Sequence, residues 1–349
     1  MLLSEFAQVV NGRVSNLDTD FEINAATSFD VAGSCDVCVV TTPKLNTAAL
    51  SSAAGAFIVK QGNVLPGRAC VEVADPWLAM AGLLSKLHPI SAVQWFHGIH
   101  PSAVIHESAV LGANVTVGPN VVIGPGSVLG AGCYLYPGVV IGPNVSIGDD
   151  CLFESNVVIE ANTRIGNRVI IHAGSVIGSD GFKYEIVSVG RIKIPQVGCV
   201  VIEDDCEIGS CACVDRAGFT ETRIGARTKI DNLVQVGHNC VIGNDCVIVS
   251  QTGVAGSCKL GNWVILAAKV GIADHVTIND GAIVMAGSNV MREVPAGEHV
   301  LGTPAVPVTQ ELRIKTAQNK LPEMRKEMLA LRRRIEELEK RLDGSSSQE

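Results

Sequence analysis

A period of six residues runs through most of this chain. From Ile105, every sixth residue is a large aliphatic or Phe, through Leu111, Val117, Ile123, Leu129, Leu135, Ile141, Ile147, Phe153, Ile159, Ile165 and Ile171 to Ile177, thirteen in register. The phase is lost between Ser179 and Val201, returns at Ile202, Ile208 and Val214, and slips by four residues before Ile224. It then continues through Ile230, Val236, Ile242, Ile248, Val254, Leu260, Leu266, Ile272, Ile278, Val284 and Val290, for 28 repeats in all. Neither a helix nor a two-residue strand alternation gives such a period over this distance, whereas a hexapeptide β-helix does. Each hexapeptide makes one short strand and one corner, and three close a triangular coil of about 18 residues. The 28 repeats therefore predict about nine coils, stacked at roughly 4.8 Å.

Residue types agree with such a prism. The position two before each aliphatic is small or branched, as at Ala103, Val121, Ser127 and Thr163. The position after it is usually Gly (Gly112, Gly118, Gly124, Gly130, Gly142, Gly148, Gly166, Gly178), which predicts corners with positive φ. Aromatic residues make up only 4% of the chain, so small and branched side chains must fill the core. Six of the twelve cysteines (Cys133, Cys151, Cys206, Cys240, Cys246, Cys258) fall in the small slot, where burial as compact hydrophobes explains them. Cys35-x-x-Cys38 lacks a second pair at metal spacing and reads as structural. The prism resembles the mainly β, left-handed parallel β-helix of the hexapeptide acyltransferases. Its handedness is what that resemblance implies, since spacing alone does not set it.

The flanks differ from the repeat. Residues 1–98 alternate helical and strand-like patterns, at Leu2 to Val10, Ala56 to Val59 and Pro76 to Leu87, and predict a small α/β domain. The β-helix is expected over 99–306 and helices over 307–343, followed by a disordered tail at 344–349. In the helical part, Ile314, Ala317, Leu321, Met324, Met328, Leu331, Ile335, Leu338 and Leu342 form a heptad seam, and Pro322 is expected to separate two pieces. From Glu311 to Asp343, ten Lys or Arg stand against seven Asp or Glu, a basic stretch on a chain of net charge −8. That stretch reads either as the solvated face of a coiled coil or as a landing surface for an acidic partner. The net charge gives no support to a nucleic-acid binder. The first residues lack a signal peptide's basic and apolar regions, and no apolar run reaches a membrane span, so a cytoplasmic protein is expected. Flat prism faces and the helical seam together predict a closed homo-oligomer, most plausibly a homotrimer.

Of eight histidines, His238 stands out, following Val236-Gly237 at a corner. One coil of 18 residues places Gly256 in the same column, one strand spacing above it. An imidazole beside an outward backbone N–H offers acyl transfer a base and a donor for the tetrahedral oxyanion. His275 falls two coils and one residue on, and Asp274 occupies the His238 column, where its carboxylate is expected to favour a charged His275. A zinc site would need three convergent ligands, and no histidine pair has the close spacing of one.

Five segments then carry a specific resemblance: Gly178-Ser179-Asp180-Gly181-Phe182-Lys183-Tyr184, Lys193-Ile194-Pro195-Gln196-Val197-Gly198, Val214-Asp215-Arg216, Asp231 through Asn239, and Gly253-Val254-Ala255-Gly256-Ser257. In this order the chain resembles the UDP-3-O-(3-hydroxyacyl)glucosamine N-acyltransferase family of lipid A biosynthesis. The resemblance implies transfer of an (R)-3-hydroxyacyl chain from acyl carrier protein to the 2-amino group of UDP-3-O-acylglucosamine, without a cofactor. It implies His238 as general base, Gly256 as oxyanion donor and His275 as a second active-site histidine. It also implies substrate contacts at Asp231, Asn232, Gln235, Asp180, Phe182 and Tyr184, and it gives the basic tail an acidic partner in acyl carrier protein. Where the family holds uracil with a segment of the type Phe-x-x-Asn-x-x-Tyr, this chain has Val39, Thr42 and Leu45, and Asp274 and Lys269 replace the usual Gly and Gln. An acyl or acetyl transferase on another nucleotide sugar, and a noncatalytic or zinc-binding prism, are the alternatives.

Overall fold

A computed structural model describes the backbone of residues 1–88 and 96–345 and side chains as far as residue 339. The chain divides into two compact units, Met1–Trp95 and Phe96–Glu349.

The first unit carries a five-stranded sheet. In spatial order its strands are Arg13–Ser15, Ala69–Val73, Ala56–Lys60, Asp36–Val40 and Ala25–Ala26, parallel except for the first. The helix Pro76–Leu87 starts where Asp75 accepts from the Trp77 and Leu78 backbone N–H groups, with Pro76 in the first turn. Its buried face, Ala79, Met80 and Leu83, packs with Phe6, Val37, Ile58 and Val71. Cys35 and Cys38 are free thiols, and burial pushes Cys38 up to about 11, as befits a packed rather than a reactive thiol.

The second unit is a parallel β-helix. Its strands, most of them two residues long, form three sheets of nine, eleven and ten strands. Equivalent residues are hydrogen-bonded one coil apart, as in Val128 with Ser146 and Leu129 with Ile147. The 28 repeats divide over the three sheets as ten, nine and nine strands, in keeping with the predicted coil number, and His299–Gly302 and Ala305–Pro307 extend the eleven-stranded sheet beyond them. From Val117 onward the aliphatic of each repeat is buried along one continuous core, against which Ile105 and Leu111 pack partly buried. At about 25 cal/mol per Å² of apolar surface, this is the main favourable term, and it is spread evenly along the axis.

Two details depart from the expected corners. The glycines directly after the aliphatics do not adopt positive φ, except Gly178 at +96°. They are required by close approach: a Cβ on Gly112 would lie 2.6 Å from the Gly130 carbonyl carbon and Ala131 nitrogen, and one on Gly148 2.7 Å from the Gly166 oxygen. The left-handed residue comes two positions later, where Asn114, Asn120, Asn144, Asn156 and Asn162 carry φ of 55–64°. The small slot is also more than a packing position. Ser127, Cys133, Cys151, Cys240, Cys246, Thr228, Thr252 and Cys258 each donate to the carbonyl fifteen residues on, at 2.7–3.1 Å. Ser, Thr and Cys therefore interchange there because each offers a small donor.

Both breaks in the repeat leave the ladder intact. Ile165 pairs with Ile202 and Ile177 with Val214, across the excursion that forms the exposed hairpin Tyr184–Val187 and Gly190–Lys193. Ile202 then pairs with Ile224 and Val214 with Val236, which absorbs the four-residue slip. After Ala305–Pro307 a single helix, Val308–Ser345, runs for 38 residues, about 57 Å. It passes through Pro322 unbroken, where two pieces were expected; the carbonyl that proline leaves unpaired lies on an exposed helix and faces water. Gly344 and Ser345 belong to this helix, and the rest of the expected disordered tail lies outside the described residues. The seam residues Ile314, Leu321, Met324, Met328, Leu331, Ile335 and Leu338 are all exposed, whereas Leu342 lies beyond the described side chains.

One corner holds a charged link between coils. His172 Nδ1 lies 3.1 Å from Glu154 Oε1, and its Nε2 lies 2.9 Å from Glu207 Oε1. Burial works against a charged ring, but the hydrogen bonds that the ring donates to Glu207 and Glu154 outweigh it and raise the pKa above 6.5. A group that binds its proton more tightly in the folded chain stabilises the fold fully below its unfolded pKa and loses that contribution as pH rises through the folded one. Denaturant titrations between about pH 6 and 9 should therefore show stability falling in the parent and a flatter profile in His172→Gln. Parallel profiles would refute the clamp.

Candidate active site

The corner after the strand Gln235–Val236 presents His238 to a pocket of about 1030 Å³, walled on its other side by the segment Asp180–Tyr184 and the hairpin. The imidazole lies between two glycines. A Cβ on Gly181 would stand 2.6 Å from His238 Cβ, and one on Gly256 would stand 2.7 Å from both Cε1 and Nε2. The 18-residue arithmetic that pairs His238 with Gly256 therefore holds in space.

Hydrogen bonds set the ring's tautomer. Asn239 Oδ1 accepts from the Gly218 N–H at 3.1 Å and lies 3.0 Å from His238 Nδ1, while Asn239 is itself anchored by its N–H to Thr222 Oγ1 at 2.8 Å. An oxygen already accepting one bond calls for a donor on Nδ1, so the neutral ring keeps its lone pair on Nε2, the atom beside Gly256. The backbone around Gly256 is arranged to match. Ala255 N–H donates to Ile272 O and Ser257 N–H to His238 O, but among the described residues the Gly256 N–H has no acceptor. At several other corners such an N–H is taken by an Asp or Asn one coil on, as Ala131 by Asp149 and Asn244 by Asn262. Here that position is Asp274, and no hydrogen bond joins the two.

The remaining expected residues divide. Asp180, Phe182, Tyr184, Gln235, Asp274 and His275 line the same pocket. Asp180 pairs with Lys193, and the Phe182 ring, 84% exposed, packs 4.9 Å from Tyr184. Among the described residues no ion pair or hydrogen bond joins the Asp274 and His275 side chains; His275 is held by its backbone, donating to Gly256 O at 3.1 Å with φ of 59°. Asp231 and Asn232 are not beside His238 within one chain. They occupy the preceding corner, in a separate groove with His172, Glu207 and Lys229. There Asp231 accepts from the Asn232 and Ser250 N–H groups, and Asn232 from Ser210. Successive hexapeptides present their corners on different edges of the prism, which separates these residues from His238 despite their closeness in sequence.

Sequence reading expected the loop with Gly181 to border the pocket, but it held Asp215 and Asn239 only within the resembling segments and gave them no role. Asp215 sits at the corner one coil below Gly237, since Val214 pairs with Val236. The four-residue slip hides this, and correcting the 18-residue count for it would have found the carboxylate. Burial raises the pKa of Asp215, against the hydrogen bonds from Ser179 and Gln235 and the attraction of His238.

A second apolar groove continues up the same face, lined by Gln235, Gly253, Val254, Gly271, Asn289 and Met291. In the first unit, a separate pocket of about 380 Å³ is lined by Phe29, Val39, Leu45, Trp77 and Met80. Among the described residues no group of three or more His, Cys, Asp or Glu is placed to hold a metal ion, and no helix is long and apolar enough to cross a membrane.

Comparison with known proteins agrees with this architecture. The model of the bacterial transferase hexapeptide family (six repeats) matches residues 221–256, and that of the GMPPB C-terminal domain matches 97–180. The solved structure of an Arabidopsis UDP-N-acetylglucosamine acyltransferase superposes with a TM-score of 0.56 at 28% identity, over 62% of this chain and 77% of that one, and the β-helix is left-handed. The UDP-3-O-acylglucosamine N-acyltransferase of Syntrophotalea carbinolica is 44% identical over 97% of this chain and 98% of its own. The enzyme of the same name from Geobacter sp. strain M21 is 44% identical over 97% and 98%, and that from Anaeromyxobacter dehalogenans strain 2CP-1 is 40% identical over 96% of each. With this identity along nearly the whole chain, the protein belongs to the UDP-3-O-acylglucosamine N-acyltransferase family.

Proposed function

We propose that this N-acyltransferase moves an (R)-3-hydroxyacyl chain from acyl carrier protein to the 2-amino group of UDP-3-O-acylglucosamine, with His238 as general base. The observation that carries the reading is the pairing of a free Nε2 lone pair with a Gly256 N–H that has no acceptor among the described residues. The acceptor nitrogen attacks the thioester carbonyl, a C–N bond forms, and Nε2 takes the nitrogen's proton. The Gly256 N–H holds the oxyanion. Collapse breaks the C–S bond, and the departing thiolate takes the proton back from His238. The apolar groove over Gly253 and Gly271 accommodates the acyl chain, and the basic C-terminal helix suits an acidic carrier. The exposed helical seam supports a homotrimer, in which Asp231 and Asn232 would face a neighbouring subunit's pocket.

Turnover of UDP-3-O-acylglucosamine with a panel of acyl carrier protein thioesters tests the function. His238→Ala should lose about 10²–10⁴-fold in kcat while remaining oligomeric; retained turnover would remove the assigned base. Gly181→Ala should tilt the ring and lower kcat by at least about tenfold with little change in melting temperature, because the added methyl meets His238 rather than the core. A Cβ on Gly253 meets nothing within 4 Å. Gly253→Leu should therefore fold normally yet lower kcat/KM for long acyl chains by about tenfold or more, sparing short ones. Equal losses for both would place the chain elsewhere.

A further inference from the structure

Asp215 is a half-buried carboxylate that lacks a cation of its own. Ser179 donates to its Oδ1 at 2.9 Å, and the nearby Gln235 amide, which donates to Val236 O at 3.3 Å, also favours the anion; both groups are neutral. Three of the four nearby cations are engaged elsewhere, and the fourth, Arg191, lines the pocket with no ion pair among the described residues. Arg216 turns its guanidinium to the carbonyls of Gly178 and Ala161, at 2.6 and 3.3 Å. Lys193 pairs with Asp180, and Lys183 with Glu185. Arg191 lies on the exposed outer strand of the hairpin, and among the described residues no ion pair reaches Asp215. The charged groups that act on the carboxylate are His238, which favours its anion, and Asp180, which opposes it. Withdrawing a carboxylate from water without a counter-ion is costly, and a ligand that brings a positive charge offsets that cost. Asp215 also lies in the same pocket and column as the general base, one coil below Gly237.

We infer that Asp215 docks the acceptor's amino nitrogen, accepting one N–H hydrogen bond and drawing in the ammonium form, so that the site selects an amine over a hydroxyl. This rests on the function proposed above. The ammonium loses one proton to solvent, and the amine keeps one N–H on Asp215. As its nitrogen bonds to the thioester carbon, it gives a further proton to His238 Nε2. The carboxylate orients the lone pair and remains ionised throughout.

The test compares UDP-3-O-acylglucosamine with its counterpart bearing a 2-hydroxyl in place of the amine, by binding titration and kinetics across about pH 6 to 8. The parent should bind the amine at least about tenfold more tightly than the hydroxyl compound, most strongly at the acid end. Asp215→Asn preserves the side-chain shape. It should raise KM for the amine about tenfold or more, abolish the preference and flatten its pH dependence, and leave affinity for the hydroxyl compound unchanged. A variant that keeps the preference, or a parent that has none, overturns the inference. The parent measurement decides by itself if the variant does not fold. A parent that acylates no amine at all would overturn the proposed function, whereas normal parent turnover with an unaffected variant overturns only the role of Asp215.

Discussion

The structure depends on a register in which each coil lies on the next with equivalent residues opposed. Backbone N–H groups donate to the coil above, the aliphatic of each repeat stacks into one continuous core, and the slot residue donates across the coil. A glycine is needed wherever the next coil's backbone comes within about 3 Å of a would-be Cβ. Because these contacts are nearest-neighbour, the prism tolerates an insertion only if the chain leaves and re-enters at one corner without shifting the ladder. Both interruptions do so, and both border the pocket. The fit there is imperfect. Gly178, at φ +96°, offers its carbonyl to Arg216, and the buried hydroxyl of Thr163, whose counterparts donate to the carbonyl fifteen residues on, has no partner among the described residues. The site lies where regular packing is relaxed.

Two corner histidines show how neighbours decide chemistry. His172 stands between two carboxylates that favour its proton, and it joins three coils electrostatically. His238 stands beside an amide oxygen that selects a tautomer and leaves Nε2 available, with glycine on both faces to let substrate approach. Both follow an aliphatic closely on a β-helix corner, and the difference comes from the coils above and below and, for His238, from its neighbour Asn239.

The sequence was most legible where periodicity is strict. The core aliphatics, the elements near Leu2, Ala56 and Pro76, and the adjacency of His238 and Gly256 all followed from pattern and coil length. Asp215 escaped because the chain between it and Gly237 carries four extra residues, which breaks the arithmetic that places one coil over another. The resemblance set Asp231 and Asn232 among the substrate contacts, and within one chain a triangular coil turns their hexapeptide and that of His238 onto different edges. The corner glycines were identified correctly as special and explained wrongly, since backbone approach between coils leaves no trace in one repeat read alone.

The sequence by itself determined the β-helix, its core and the pairing of base with backbone donor, because a strict repeat converts sequence distance directly into position along an axis. Only the tertiary structure decided the imidazole's tautomer, the acceptor-free Gly256 N–H and the carboxylate without a counter-ion. Each of these is a question of which hydrogen-bond and charge partners are already taken, and in this fold those partners belong to other coils.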